Sequence, residues 1–263
     1  LNLEKLTLNY KTKKNSLNYC SSIFKNIISA VYEIFFNIKL IFFLSKNKKI
    51  LDKKIKNCIF TQFAHLDLKN DYIPSYWSNF KNLLNFKKIL WCFMHVKSDQ
   101  FKKIEDLKIY LAKTKYKNII FLHSLGSTFL VIEGIIIYFK ILTIFLLIKK
   151  KNKFKYKNYN LYQLFENDLI ESYIGVTSIK NIFNFLLIYQ FYKKFNLKKI
   201  FYLFENQPHE KYLNYMFKRK TKCIGFAHSS IRFWHLSYYN LNKSKKSEIY
   251  EPHFICFSKN KFN

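Results

Sequence analysis

Six short apolar runs separated by helix-patterned sequence constrain this chain more than anything else in it. The runs cover 57–64, 89–94, 118–122, 200–204, 223–227 and 254–257, and the first five stop on polar residues. Their exits are His65-Leu66-Asp67, His95, His123-Ser124, Glu205-Asn206-Gln207 and His228-Ser229-Ser230. Helical patterns fill the intervals: 75–86 after Pro74, 101–114, 128–148, then 161–196 in two pieces joined near Gly175. Continuous apolar strands alternating with helices imply βαβ units and a mostly parallel sheet. Crossovers are expected to be right-handed, which covers both faces. The expected fold is α/β and Rossmann-like, over residues 51–263. Residues 1–50 form an N-terminal extension carrying an amphipathic helix.

The stretch from Phe201 to Tyr239 is where a site is expected. Pro208 suits a first helical position, Glu210 falls in the first turn, and Lys218, Arg219 and Lys220 close the pattern. That order complements the orphan N–H groups and the helix dipole. Strand, turn, helix, strand and turn then follow within about forty residues. Open parallel sheets bind ligands beyond the carboxyl ends of their strands. Two parallel strands exit on one edge, so Glu205 and His228 are expected to border one cavity with Glu210 and Arg232. Asn206 and Ser229 supply hydrogen-bond partners beside them. His65, His95 and His123 also stand at strand exits, and His123 is a further candidate for binding.

A sugar-transfer enzyme needs a base for the acceptor hydroxyl and a cation or helix N-terminus for the departing phosphate. Glu205, Glu210 or His228 fits the first role, and Arg232 or His228 the second. A structural alternative stays open, in which Glu205 and Arg232 pair to fasten two loops. The glycines, at 126, 134, 175 and 225, form neither a Walker loop nor G-x-G-x-x-G, and Ser124 and Ser127 sit in no nucleophile elbow. No cysteine pair has zinc-ligand spacing, so no metal is expected.

The segments Glu205-Asn206-Gln207-Pro208-His209-Glu210 and Gly225-Phe226-Ala227-His228, with Arg232-Phe233-Trp234-His235-Leu236, resemble a paired signature of bacterial surface-carbohydrate biosynthesis proteins. Those proteins are similar to GT-B glycosyltransferases, with two Rossmann-like domains and the donor and acceptor between them. The family pattern carries Trp at the position of His209, a packing change, and an acid at that of His235. The resemblance is specific over 200–240, looser over 57–200 and absent from 1–50. It implies the N-terminal, acceptor-side half of a GT-B-like fold, a nucleotide-sugar donor as substrate with no separate cofactor, and a glycan or lipid-linked acceptor. It also implies a second domain beyond this chain, which opens on Leu1 and stops at Asn263, as a piece cut at both ends would. A non-catalytic, membrane-associated scaffold of the same fold is the first alternative, and a nucleic-acid-binding protein the second.

Charge adds an expectation about partners. Lys+Arg number 46 against 16 Asp+Glu, a formal charge of +30. Only Arg219 and Arg232 are arginines, so 46 − 2 = 44 are lysines. Lysine with abundant Asn, Ile, Phe and Tyr is the output of AT-rich codons on any tolerant surface. An anionic partner is the other source, with membrane ahead of nucleic acid. Scattered cysteines at 20, 58, 92, 223 and 256 fit a reducing cytoplasm. Residues 19–44 carry apolar positions at helical spacing, interrupted by Lys25, Glu33 and Lys39. Residues 128–148 make a helix of about 31 Å, long enough to span a bilayer, yet Glu133 and Lys140 mark one polar face. A buried crossover helix leads, then peripheral attachment to the inner face of the plasma membrane, then a span.

Overall fold

The computed structural model describes residues 16–46, 55–63, 66, 74–80, 88–96, 103–104, 106–113, 118–147, 155–156, 159–160, 162–205, 207–227 and 250–257. Helix α1 is Ser16–Lys46, followed by β1 Asn57–Phe63, β2 Leu90–His95, α2 Asp106–Lys113 and β3 Ile119–Phe121. Then come α3 Thr128–Leu147, the short strands β4 Lys155–Tyr156 and β5 Tyr159–Asn160, α4 Tyr162–Ile174 and α5 Val176–Lys194. The chain ends with β6 Lys199–Leu203, α6 Pro208–Phe217, β7 Lys222–Ala227 and β8 Phe254–Phe257. It divides into two compact units, Leu1–Ile38 with Thr128–Phe183, and Lys39–Ser127 with Asn184–Asn263.

The second unit is built on a six-stranded sheet in the order β3-β2-β1-β6-β7-β8, and every pairing in it is parallel. All six apolar runs are strands of it. Winding outward from β1 to β3, then restarting at β6 and winding the other way, gives the doubly wound Rossmann-like order. The alternation of side chains shows what covers each face. Phe63, Phe93 and Phe121 share one face and meet the Tyr110 ring of α2, at centroid distances of 4.7 Å to Phe63 and 5.9 Å to Phe93. Phe60 and Tyr202 lie on the other face. There Phe60 meets Phe191 of α5 at 6.2 Å, and the Tyr202 hydroxyl bonds Asn214 of α6. Burial on both sides explains why β1 and β2 read as unbroken apolar runs rather than alternating ones.

The expected helix over 75–86 is a 3-10 turn, Ser75–Phe80, in the described part of that span. Pro74 starts it, with Trp77 N–H donating to the Pro74 carbonyl at 2.9 Å. Among the described residues the helix expected over 101–114 is Asp106–Lys113, and the Asp106 carboxylate reaches back to accept from the Lys103 N–H at 2.9 Å. Thr143 and its neighbours continue α3 as far as Leu147.

The first unit is mainly helical, with the short antiparallel pair β4 and β5. Phe145 of α3 packs with Ile170 and Ile174 of α4, and Ile23 and Ile27 of α1 with Leu142 lie against them. The Tyr138 hydroxyl donates to the Ile174 carbonyl at 2.9 Å, tying α3 to the end of α4. Gly175 breaks the helix between α4 and α5. A Cβ there would strike the Glu171 carboxylate and come within 2.7 Å of Asn26 Oδ1. That carboxylate accepts from the Thr177 N–H at 3.1 Å and hydroxyl at 2.9 Å, so an acid of α4 caps the N-terminus of α5.

The buried-crossover reading of 128–148 is overturned. Leu130, Val131, Gly134, Tyr138 and Phe145 are covered, whereas Phe129, Ile132, Ile136, Phe139, Ile144, Leu146 and Leu147 are exposed. One stripe of a largely apolar helix suffices for the protein contacts, so the rest of its circumference stays uncovered. Both α1 and α3 are long and apolar enough to cross a bilayer by length and composition.

Candidate functional site

A cavity of about 150 Å³ opens between the exits of β1 and β6, lined by Phe60, Thr61, Gln62, Tyr76, Tyr202, Leu203, Glu205, His209 and Glu210. These two strands are neighbours in the sheet although β2 and β3 intervene in sequence. They mark the point where the winding reverses. Adjacent crossovers leave in opposite directions there, so a crevice opens between them.

The β1 wall is anchored through tryptophan. Beyond the strand, Leu66 and Pro74 form an isolated antiparallel bridge. Trp77 is fully buried, donates from Nε1 to Thr61 Oγ1 at 3.1 Å, and sets its ring edge-on to Phe226 at 5.7 Å. Fixing Trp77 fixes Tyr76 beside it, on the rim of the cavity. Burial, and behind it the negative charge of Glu205, pushes the Tyr76 phenol above its ordinary value. Tyr76 is therefore a protonated donor facing a carboxylate.

The β6 wall is a helix N-terminus. Phe204 donates its N–H to the Phe226 carbonyl at 2.8 Å, keeping the exit of β6 against β7. Gly225 permits this closeness, since a Cβ there would lie 2.9 Å from Phe204 Cβ. Gln207 caps α6 with extended backbone and Pro208 takes the first helical position, as its sequence anticipates. Glu210, in the first turn, is buried, and both its oxygens accept from the Glu205 N–H, at 3.0 and 3.2 Å. This extends the capping-box idea, with the acid reaching back past the cap to hold the approaching loop. Glu210 thereby orients Glu205, which is partly exposed into the cavity.

Below them, the Tyr202 hydroxyl donates to Asn214 Oδ1 at 3.0 Å, and burial drives its phenol far above the ordinary range. The His209 ring lies 6.3 Å from that of Phe60, and burial lowers its pKa to about 4. It is a neutral imidazole at pH 7 and packs on an aromatic ring, the role expected of it.

The structure brings Glu205 and Glu210 together at one cavity. His123 lies elsewhere on the same edge, in the 3-10 turn Leu122–Leu125 after β3, and is buried. Its ring stands edge-on to that of His95 at 6.4 Å, and burial, then the His95 charge, lowers its pKa to about 3. β3 is the outermost strand, two places from β1, and His123 is not among the cavity's lining residues. Asn206, His228, Ser229 and Arg232, like His65, lie outside the described residues. β7 ends at Ala227 beside the exit of β6, the register being Leu203 to Phe226. Sequence reasoning missed Gln62, Thr61 and Tyr76. The signal for Tyr76 was Pro74 soon after a strand exit, but nothing local distinguishes β1 as the partner of β6.

Fold and site together define an α/β protein of Rossmann-like order whose cavity at the winding reversal carries two carboxylates and two phenols. No phosphate-binding glycine loop follows β1, where the sequence runs Ala64 to Pro74 without glycine. Comparison with models of protein families, with curated proteins and with solved structures finds no match to this chain.

Proposed function

We propose that this chain is the acceptor-side half of a GT-B-like glycosyltransferase, moving a sugar from a nucleotide-sugar donor to a glycan or lipid-linked acceptor of a bacterial surface polysaccharide. The observation that supports it is Glu205, held by Glu210 at the mouth of the switch-point cavity opposite the Tyr76 phenol. In this reading the Glu205 carboxylate takes the proton of an acceptor hydroxyl as that oxygen attacks the anomeric carbon. The anomeric carbon–oxygen bond to phosphate breaks, and the nucleotide leaves with the electron pair. Tyr76 and Gln62 orient the acceptor ring, and Glu210 is a positioning residue. His228 and Arg232, which follow β7, are the candidates for steadying the departing phosphate. The cavity is smaller than the ~300–1,000 Å³ that encloses drug-sized ligands. It suits one hydroxyl-bearing ring and leaves the nucleotide outside it.

The test is a transfer assay on the full-length protein with a panel of nucleotide-sugars and lipid-linked acceptors, read by mass spectrometry. Glu205→Gln is expected to remove transfer while circular dichroism and the thermal midpoint stay unchanged, and Tyr76→Phe to raise KM for the acceptor more than it lowers kcat. Transfer surviving in Glu205→Gln overturns the assignment of the base. Failure of every donor and acceptor to bind, followed by saturation-transfer NMR, supports the scaffold reading instead.

A further inference from the structure

Helix α1 covers Ala30, Ile34, Leu40, Ile41 and Leu44 together with two polar residues, yet leaves large apolar side chains exposed as well. On its covered side Glu33 and Asn37 are 7% and 4% exposed, and Asn37 Nδ2 donates to the Glu33 carbonyl at 2.8 Å and carboxylate at 3.3 Å. Its outer side carries Phe24, Ile28, Val31, Phe35 and Phe42, spaced at threes, fours and a seven, with Phe35 at 58% exposure. Surface helices of water-soluble proteins turn charged and polar residues outward instead. α3 repeats the outward pattern. Phe129, Ile132, Ile136, Phe139 and Leu146 recur at helical spacing, with Phe129 75% and Leu147 76% exposed, opposite the covered Leu130, Val131, Gly134, Tyr138 and Phe145. The two helices thus present long apolar stripes, broken at Lys39 on α1 and at Lys140 and Thr143 on α3, yet far more than isolated surface residues need.

We propose that the outward faces of α1 and α3 dock into an anionic lipid bilayer, lying in the plane of one leaflet. Charge selects this occupant. Lysines follow both helices, at 46, 48 and 49 after α1 and at 149, 150, 151, 153, 155 and 157 after α3. An apolar slab bordered by negative headgroups complements that layering. A second copy of the chain brings another +30 of like sign and opposes self-association through these flanks. For α3, connectivity selects the plane over a span. α3 leaves the sheet after β3 and the chain returns to it at β6, so a crossing by α3 requires a return crossing. Among the described residues, no helix between α3 and β6 is long and apolar enough to make it.

The experiment is co-sedimentation of the full chain with vesicles of phosphatidylcholine alone or mixed with phosphatidylglycerol. Binding is expected to favour the mixed vesicles and to weaken with salt without vanishing. Ile136→Gln with Phe139→Gln, which leaves the charge untouched, is expected to cut binding roughly tenfold or more. Ile109→Gln, at an exposed apolar position of α2, should change nothing. Tryptophan placed singly at Phe129, Ile136 and Leu146 reports depth through quenching by brominated acyl chains even if the double variant folds poorly. Equal shallow quenching at all three supports the planar helix. Absence of wild-type binding, or undiminished binding by a folded double variant, overturns the proposal. So does quenching deepest at 136, which marks a span, or a dimer lost in the double variant without vesicle binding.

Discussion

The two units use the same apolar alphabet in opposite ways. In the sheet unit Ile59, Phe63, Trp91 and Phe93 are fully buried, and large side chains interlock ring against ring. In the helical unit Phe24, Tyr32, Phe129 and Phe139 are exposed, while Glu33 is covered. Hydrophobicity alone therefore does not say which way a residue faces. A parallel strand has a neighbour on both sides and a layer on both faces, so every apolar residue finds partners. A helix needs only one covered stripe to be held, and whatever remains of its circumference is left for the surroundings to match.

The comparison breaks most easily at the sheet. Phe63→Ala removes a fully buried ring that contacts Phe93, Tyr110 and Phe121, and should lower unfolding free energy by about 3–5 kcal/mol in urea titration. A loss under about 1 kcal/mol would mean that the sheet core is no tighter than the helical unit.

Acid sharpens the same contrast. Unfolded histidine titrates near 6.5, whereas folded His209 and His123 are held down to about 4 and about 3 by burial. Below pH 6.5 the unfolded chain takes up protons that the native chain refuses. The stability is fully present above that pH and is lost as pH falls toward 4 and 3, by up to about 1.4 kcal/mol per pH unit for each histidine. Urea midpoints for wild type and His209→Gln between pH 7 and 4.5 measure it. The variant should lose less stability over that range, and parallel curves would remove His209 from the account.

Gly225→Ala is expected to cost about 1–3 kcal/mol, because the new methyl collides with Phe204 and Phe204 holds the approach to Glu205. In a transfer or binding assay the same change should disturb the site, which separates it from a purely global loss. At the far end of the scale, Phe139→Ala on α3 is expected to stay within about 0.5 kcal/mol in detergent-free buffer. A large loss there would show that its exposed face is covered in solution.

Much of this architecture was legible in the residues. Apolar runs bounded by polar exits mark the six strands, and Pro208 with Glu210 marks the start of α6, because strand burial and helix capping are local rules written in neighbouring residues. The acid at the β6 exit was legible for the same reason. Three things were not. The adjacency of β1 and β6 depends on which way the sheet winds, a choice made by packing among helices far apart in sequence, so Gln62 and Tyr76 carried no local mark. Glu210 and Glu205 read as equals until the backbone curled to bring the Glu205 N–H onto the Glu210 carboxylate, dividing a holder from a presenter. The outward stripe of α3 could not be read from a segment whose few polar marks are Glu133, Lys140 and Thr143, since periodicity cannot rank the many apolar positions that are alike. Sequence by itself determined the elements and the chemistry available at their ends. Tertiary structure alone decided which ends meet and which apolar faces stay open, because both depend on contacts between residues that the chain keeps far apart.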